Sequence, residues 1–416
     1  DHVVRRELRL QEQELYSGSK LRKSRDALQR LGFFREVTIT TPRGVDDQHI
    51  NVVVDVKEAQ TGAFSAGAGF SSADSILFNA RIKENNLFGR GQSLELSGDI
   101  GSIRRNVILS FTEPYFRDTP LTVRFDAFTW ELNQNNEFTR SGTGLGTQLT
   151  YPVTALGYTS LWGLPLEDVR VGAGYRFERA EISNIDFLSP PAIRIEEGKS
   201  TISSITPRLS RNTLNHAFDP TAGSVQELSV EAAGLGGEQF TKAEVHERWY
   251  YTFLHSKSLG DFTYSFGGML GYGFGTQGLG GNDLPLFERY FPGGISSIRG
   301  FEARTLGPRG EVKNDVGQVI DTSPIGGSEQ VVLNNEVIFP IAQSIGLKGV
   351  VFVDAGNAYG ADEGITLDET RYSVGGGFRW LSPVGPLRIE VGEPLNAKKQ
   401  DKKSLVLFSF GGPFQF

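Results

Sequence analysis

The sequence predicts a mainly β protein: a 16-stranded antiparallel transmembrane β-barrel preceded by one small α/β module. From Thr61 onwards, apolar and polar side chains alternate with a period of two, as around Leu121 and Val123. Such runs, each about 10 residues long, recur about 16 times, which is the pattern of strands that face lipid on one side and a lumen on the other. The 51 Gly and 29 Phe among 416 residues are typical of strands joined by many turns.

Composition excludes several classes of protein. With no Cys, the chain has no disulfides, no thiolate chemistry and no Cys-ligated zinc. No stretch approaches the about 18 consecutive apolar residues of a transmembrane helix. The formal net charge of −7 gives no indication of nucleic-acid binding. Because the chain starts at Asp1 without a Met or a signal peptide, we expect it to be an internal piece of a longer precursor.

Residues 1–60 form the predicted α/β module. Val3–Leu10 alternates as a strand, and Ser19–Leu31 has the apolar spacing of a helix that Gly32 ends. Two further strands are predicted at Glu36–Thr40 and Ile50–Val56. In the last strand the even positions are expected to face the helix: Ile50, Val52, Val54 and Val56. A small soluble mixed domain fits residues 1–58 equally well.

Residues 61–416 form the predicted barrel. Its strands are expected to begin near Gly62, Ser75, Gly91, Ile103, Thr119, Thr139, Glu167, Thr201, Ser224, Phe240, Asp261, Gly327, Gly346, Arg371, Gly385 and Lys403. The alternative is a large soluble β-sandwich or propeller. A propeller would repeat every 40–50 residues or so, and no such repeat is visible. Aromatic residues near the predicted strand ends, as at Tyr115 and Trp380, favour the membrane barrel.

A Gly-rich segment, residues 276–326, has no strand pattern of its own and carries Arg299 between hydrophobic neighbours. A loop of this length is usually functional or disordered. If Arg299 is buried, it needs a carboxylate partner. Strand alternation puts Glu336 inside the barrel, and it puts Asp354 inside together with Lys348. The alternative makes Arg299 a solvated loop charge and Asp354 a turn residue.

Motifs along almost the whole chain resemble those of the BamA family of outer-membrane insertases. They are Asn85–Gln92, Phe111–Phe116, Phe218–Gly223, Phe287–Phe301, Gly307–Arg309, Ile325–Gly327, Glu336–Pro340, Phe352–Gly356 and Phe378–Pro386. The resemblance implies that residues 1–60 are the last of several POTRA domains and lie in the periplasm. It also implies that the loop 276–326 folds into the lumen, where the motif Arg299-Gly300-Phe301 meets the carboxylates of Glu336 and Asp354.

The resemblance further implies a function: folding and insertion of client β-barrel proteins in the bacterial outer membrane, through a lateral gate between the first and last strands. The gate residues would be Gly62, Gly67 and Gly69 with Phe408, Phe410, Gly411 and Gly412. Glycines weaken a strand, and Pro413 cannot donate to a ladder, so weak pairing is expected there. Phe416 matches the carboxyl-terminal signal of outer-membrane barrels. The expected partners are unfolded clients, accessory periplasmic lipoproteins and outer-membrane lipids.

Two other functions stay open. A relative in the same superfamily could export a soluble passenger through the lumen, and a simple diffusion pore would not require a long Arg-bearing loop. Catalysis is not expected, because the five His show no metal-ligand spacing. The run Gly271-Tyr-Gly273-Phe-Gly275 is predicted within a strand, where it cannot cradle a phosphate. We therefore expect no enzyme, no cofactor and no metal site.

Overall fold

The structure is a computed structural model. It describes residues 2–46, 49–135, 137–161, 163–217, 219–256, 260–275, 283–314, 316–383 and 385–411. The predicted gate residue Gly412 and the predicted signal residue Phe416 lie outside this part of the chain. No helix within it is both long enough and apolar enough to cross a bilayer.

The N-terminal module has two helices and a two-stranded antiparallel sheet: α1 His2–Glu7, α2 Gly18–Arg30, β1 Phe34–Thr40 and β2 Val53–Glu58. Helix α2 confirms the prediction. Its first turn is capped by the Ser17 hydroxyl, which accepts a hydrogen bond from the backbone N–H of Lys20, and its buried face packs on β1 through residues that include Leu28.

Two predictions in the module are wrong. Val3–Leu10 is not a strand, because residues 2–7 form α1. A short apolar run does not distinguish a strand from a helix. The helix contacts the barrel, since the Arg6 guanidinium carbon lies 4.3 Å from the centre of the Tyr115 ring. The last strand begins only at Val53, so Ile50 and Val52 are exposed rather than packed against the helix.

Sixteen antiparallel strands close into a barrel, as predicted. In chain order they are β3 Gly62–Ser71, β4 Ser75–Leu87, β5 Gln92–Gly101, β6 Arg104–Glu113, β7 Thr122–Gln134, β8 Phe138–Pro152, β9 Val169–Ser183, β10 Gly198–Asn212, β11 Gly223–Ala233, β12 Phe240–Ser256, β13 Gly260–Gly275, β14 Glu329–Ala342, β15 Leu347–Tyr359, β16 Arg371–Ser382, β17 Gly385–Pro394 and β18 Val406–Phe410. Each strand pairs with the next, and β18 pairs with β3. No predicted start is more than three residues from the observed one; the start predicted at Lys403 and observed at Val406 is among the largest differences.

Alternation places apolar side chains outside and polar ones inside. On β17, Ile389 and Val391 are exposed on the outer surface, whereas Arg388 and Glu390 are buried in the lumen. An outer surface of this kind suits contact with lipid, because apolar groups there are not transferred to water.

Short elements connect these strands. They are the helix α3 Pro191–Arg194, the 3-10 turns Phe116–Asp118, Val153–Leu156, Leu286–Glu288 and Gln343–Ile345, and the short strand pairs Ser160–Leu161 with Leu164–Pro165, Gly300–Phe301 with Lys403–Ser404, and Arg309–Lys313 with Val319–Pro324. The last pair corrects the expectation that residues 276–326 hold no strand. Since the module leads into β3 at Gly62, we call that end of the barrel the near end and the other the far end.

The connection from Gly275 to Glu329 starts at the far end and returns into the barrel. We call its described residues, 283–314 and 316–328, the lumenal loop. Its apolar side chains pack against inward-facing residues of the wall in one buried cluster: Leu284, Leu286, Phe287 and Tyr290 from the loop with Phe138, Ala180, Ile182, Ile202 and Phe240 from the wall. The largest buried hydrophobic cluster of the described chain therefore lies inside the barrel, between the loop and its wall.

Candidate functional site

Arg299 lies at the point where the lumenal loop meets strands β14, β15 and β17, and only 1% of its side chain is exposed. Its Nε and Nη2 donate to the two carboxylate oxygens of Asp354 over 2.7 and 2.6 Å. Its Nη1 donates to Glu336 at 2.7 Å and to Glu390 at 2.9 Å. The structure thus places Arg299 against both carboxylates named from the sequence, and against a third. Charge-assisted bonds in this bidentate geometry are among the strongest in proteins.

Two more guanidinium groups complete the cluster. Arg379 donates to Glu336 at 2.9 and 2.7 Å and to Glu390 at 2.9 Å, and Arg388 donates to Glu390 at 2.7 and 2.8 Å. We call these residues, three arginines and three acids, the lumenal charge network: Arg299, Glu336, Asp354, Arg379, Arg388 and Glu390. Buried charges need balanced partners with good geometry, and here the formal charges cancel.

Sequence reasoning did not assign Arg379, Arg388 or Glu390 to the site. The signal was present, because Arg388 and Glu390 alternate with the outward Leu387, Ile389 and Val391. Alternation shows that a residue faces the lumen, but it does not show which of the other lumenal charges it meets. Lys348, expected inside beside Asp354, instead bonds to Asp219 in a near-end turn, at 2.6 and 2.7 Å.

The backbone of the loop comes very close to the wall beside Arg299. Gly300 has φ +88°, and a Cβ there would lie 2.9 Å from the carbonyl oxygen of Gly392 on β17. A Cβ on Gly392 would lie 2.7 Å from the Gly300 nitrogen. Both positions therefore require glycine, and this is the physical reason for the glycine in the Arg-Gly-Phe sequence. The next residue, Phe301, is fully buried and pairs with Lys403.

A second group of charges holds the loop against another part of the wall, strands β9 and β12. Glu288 accepts hydrogen bonds from Arg176 on β9 at 2.7 Å and from Lys242 on β12 at 3.2 Å. Arg176 also binds Glu178 at 2.8 Å and Glu231 at 2.7 Å. The sequence analysis missed Glu288, because no periodicity in the loop predicts where its side chains point. The loop therefore presents a cation to strands β14, β15 and β17 and an anion to strands β9 and β12.

Three glycines of β13 make room for the loop. A Cβ on Gly271 would lie 2.5 Å from the Tyr290 ring, one on Gly273 would lie 2.6 Å from Leu284, and one on Gly275 would lie 2.4 Å from the carbonyl oxygen of Asp283. These glycines lie within a strand, as predicted. Their lumenal face receives the loop, which accounts for a pattern that the sequence left without a purpose.

Within the described residues, the pairing between β18 and β3 is short. Among the described residues its register is Ser409 to Ser71 and Phe410 to Phe70, whereas β3 pairs with β4 along the whole of Gly62–Ser71. The Phe70 and Phe408 rings lie 5.0 Å apart across it. Described pairing at the seam is thus confined to the far end of β3.

The predicted gate residues that are described lie on both sides of this seam. Gly62, Gly67 and Gly69 are on β3, and Phe408 and Phe410 are on β18. Gly411 has φ +74°, and a Cβ there would lie 2.3 Å from the Ala68 carbonyl oxygen. A residue with a side chain would therefore not fit at position 411. The assignment of these residues to a gate stays a prediction.

Within the described ranges, no cluster of three or more His, Asp or Glu side chains is arranged to hold a metal ion.

The fold and the site define a class: a membrane β-barrel that follows a small periplasmic-type module and has its own loop fixed inside the lumen. A family model for the Omp85 superfamily domain matches residues 86–415, and a POTRA model, described as a surface antigen variable number repeat, matches residues 1–59. The chain belongs to the Omp85 superfamily.

Named relatives support the resemblance to BamA that was drawn from the motifs. The outer membrane protein assembly factor BamA of Nitratidesulfovibrio vulgaris is 31% identical over 421 residues, which cover 99% of this chain and 49% of that protein. BamA of Neisseria meningitidis serogroup B is 28% identical, covering 100% of this chain and 55% of the relative. The chain spans about half the length of these relatives. The crystal structure of Haemophilus ducreyi BamA lacking POTRA domains 1–3 has the same fold, with a TM-score of 0.84, 24% identity and coverage of 99% of this chain and 81% of that one.

Proposed function

We propose that this protein folds client β-barrel proteins and inserts them into the bacterial outer membrane through the seam between β3 and β18. The observation that carries the proposal is the seam itself, where described pairing covers two residues of β3 at its far end. The relatives are outer membrane protein assembly factors, which supports the same conclusion.

The first strand suits an exchange of partners. Residues 62–68 of β3 are all exposed, and three of the ten residues of the strand are glycines. An unpaired strand edge recruits another strand by β-augmentation, in which backbone hydrogen bonds give affinity without a specific sequence. A client hairpin would add to β3 and later separate from it. The driving force is the client's own pairing and apolar burial, so no catalysis, nucleotide or cofactor enters the mechanism.

The lumenal loop makes the two alternatives less favourable. Export of a passenger, or free diffusion, needs an open lumen. Here Arg299 fixes the loop to strands β14, β15 and β17, Glu288 fixes it to strands β9 and β12, and an apolar cluster lies between the loop and the wall. No specific observation favours an exporter or a pore.

The proposal includes the surroundings of the barrel. We assign residues 1–60 to a POTRA domain in the periplasm and residues 61–416 to the outer-membrane barrel. The near end then faces the periplasm and the far end the outside. The partners are unfolded outer-membrane clients, accessory periplasmic lipoproteins and the surrounding lipids.

The test is client folding in liposomes that contain this protein. A urea-unfolded barrel client is added, and its folding is scored by its heat-modifiable migration on gels. Cysteines at the register partners Ser71 and Ser409 lock the seam when oxidised, since directly opposite residues of antiparallel strands lie within disulfide reach. Cysteines at Ala66 and Ala80, partners within the β3–β4 pair, are the matched control.

We expect faster client folding than in empty liposomes, lost when the Ser71–Ser409 pair is oxidised and kept when the Ala66–Ala80 pair is oxidised. The absence of acceleration in the reduced protein, even with periplasmic partners supplied, would count against an insertase. Equal activity with the seam locked would count against the seam as the route.

A further inference from the structure

The five residues Gly300–Arg304, which follow Arg299, contact the segments directly next to both strands that border the seam. On one side they join the segment that leads into β18. Gly300 pairs with Ser404, Phe301 pairs with Lys403, and the Glu302 N–H donates to the Lys402 carbonyl oxygen at 2.9 Å. Since β18 begins at Val406, the loop is tied by its backbone to the start of the last strand.

On the other side they join the first hairpin of the barrel. The Arg304 side chain donates through Nη2 to the carbonyl oxygen of Ala73 at 2.6 Å and through Nη1 to the carboxylate of Asp74 at 3.2 Å. Both residues lie in the turn between β3 and β4, directly after the first strand ends at Ser71. The same short segment therefore bridges the first and last strands at the far end of the seam.

The backbone of Arg304 is held in a conformation that an arginine seldom adopts, with φ +62°. Its carbonyl oxygen accepts a hydrogen bond from Gln134 at 3.2 Å, and the Ala303 carbonyl accepts one from Asn135 at 3.1 Å. Both donors lie at the far end of β7 and in the turn that follows it. Backbone conformations of this kind persist when surrounding contacts fix them, and here they direct the guanidinium to the first hairpin.

We propose that Gly300–Arg304 form a clasp that holds the far end of the seam closed, with Arg304 as its releasable positioning residue. This inference rests on the proposed function, in which the seam opens. The side towards β18 is made of backbone pairs of the buried Gly300 and Phe301, whereas the side towards β3 consists of one arginine side chain. The Arg304 and Asp74 side chains are each 18% exposed, so water reaches the contact that has to break.

A neighbouring arginine makes release easier. Arg104 on β6 has its Nη2 3.5 Å from the other carboxylate oxygen of Asp74. When Arg304 leaves, Asp74 still has a cation beside it. The opening barrel is therefore not left with an isolated, partly buried carboxylate, which would be costly.

Opening can be measured without any client. The chain has no Cys, so single cysteines at the outward residues Phe78 on β4 and Val391 on β17 can carry spin labels across the seam. Distances are recorded by pulsed electron resonance in liposomes. Arg304→Ala removes both hydrogen bonds of the guanidinium, and we expect the ratio of long to short distances to rise on the order of tenfold or more, since about 1.4 kcal/mol already corresponds to tenfold. Lys313→Ala, an exposed cation of the same loop that contacts Glu311, is the matched control and should leave the ratio unchanged.

Two further variants separate the clasp from general loosening of the first hairpin. Asp74→Asn should also raise the ratio, and Asp74→Asn with Arg304→Ala should raise it no further than Arg304→Ala, since the two residues share one contact. Arg104→Ala should not raise it, because that change removes the competitor for Asp74. If the Arg304→Ala barrel does not fold, as judged by heat-modifiable migration, the distance ratio of Asp74→Asn tests the clasp instead.

An unchanged ratio in both Arg304→Ala and Asp74→Asn would overturn the clasp, and so would a rise in Arg104→Ala equal to that in Arg304→Ala. The labels report on the seam alone. A clasp variant that opens the seam in a protein that does not accelerate client folding would support the clasp and count against the insertase. If the protein accelerates client folding but the clasp variants leave the label distances unchanged, the insertase is supported and the clasp is contradicted.

Discussion

Replacing Arg299 with alanine removes the only cation that belongs to the lumenal loop from the lumenal charge network. Four side-chain hydrogen bonds are lost, two to Asp354 and one each to Glu336 and Glu390. Glu336 keeps Arg379, and Glu390 keeps both remaining arginines. In the described part of the chain Asp354 has no other ion-pair partner, so a fully buried carboxylate is left with Asn334 as its side-chain donor.

The expected cost follows from that one residue. Removing one partner of a buried ion pair costs about 3–5 kcal/mol. The Arg299 guanidinium carbon also lies 3.5 Å from the centre of the Phe352 ring, a contact that alanine cannot make. The free energy of unfolding falls with urea at a slope of about 3 kcal/mol per M, so a loss of about 4 kcal/mol in that free energy lowers the unfolding midpoint by about 1.3 M.

The assay is urea unfolding in lipid vesicles, followed by the fluorescence of the four Trp and by heat-modifiable migration. Arg299→Glu should be less stable than Arg299→Ala, because it adds a fourth carboxylate. Adding Asp354→Asn to Arg299→Ala should recover about half of the loss, because the isolated charge is gone. The control is Arg105→Ala. The Arg105 side chain is 63% exposed, and its surface ion pair with Glu131 contributes about 0.5 kcal/mol or less to stability. Equal midpoints for Arg299→Ala and Arg105→Ala would refute the reasoning.

Two other substitutions probe the loop at separate points. Gly300→Ala should destabilise the barrel by about 1–3 kcal/mol in the same unfolding assay, because φ is +88° and the Gly392 carbonyl blocks the methyl group. The control Gly317→Ala, with φ +80° and open space around it, should cost less. The reverse order would contradict the close approach of Gly300 to Gly392. Glu288→Gln should make residues near the loop more accessible to protease added from the far end, since Arg176 and Lys242 lose the carboxylate that they bind on the loop. An unchanged cleavage rate would show that Arg299 alone fixes the loop.

Period-two alternation predicted the strands because it has a direct physical cause: each barrel strand has one face towards an apolar medium and one towards a polar lumen. The same rule placed Glu336 and Asp354 inside, and the need of a buried Arg299 for a carboxylate linked them. The rule gives the face of a residue but neither its depth nor its partner. For that reason it could not show that Arg379 and Arg388 would share Glu390.

What the sequence could not predict depends on the path of the lumenal loop. Glu288 and Arg304 lie in a segment without periodicity, and their roles come from residues far away in the chain, such as Asp74. The helix α1 was missed for a different reason: six residues carry too little periodic pattern to distinguish a helix from a strand.

The glycines of β13 have a consequence for transplanting parts between related barrels. Tyr290 and Leu284 fill space that side chains at positions 271 and 273 would otherwise occupy, so the lumenal face of this strand is complementary in shape to this particular loop. A loop taken from a relative will seat only if the donor's equivalent strand comes with it. The loop and this strand therefore have to be exchanged together, as one unit.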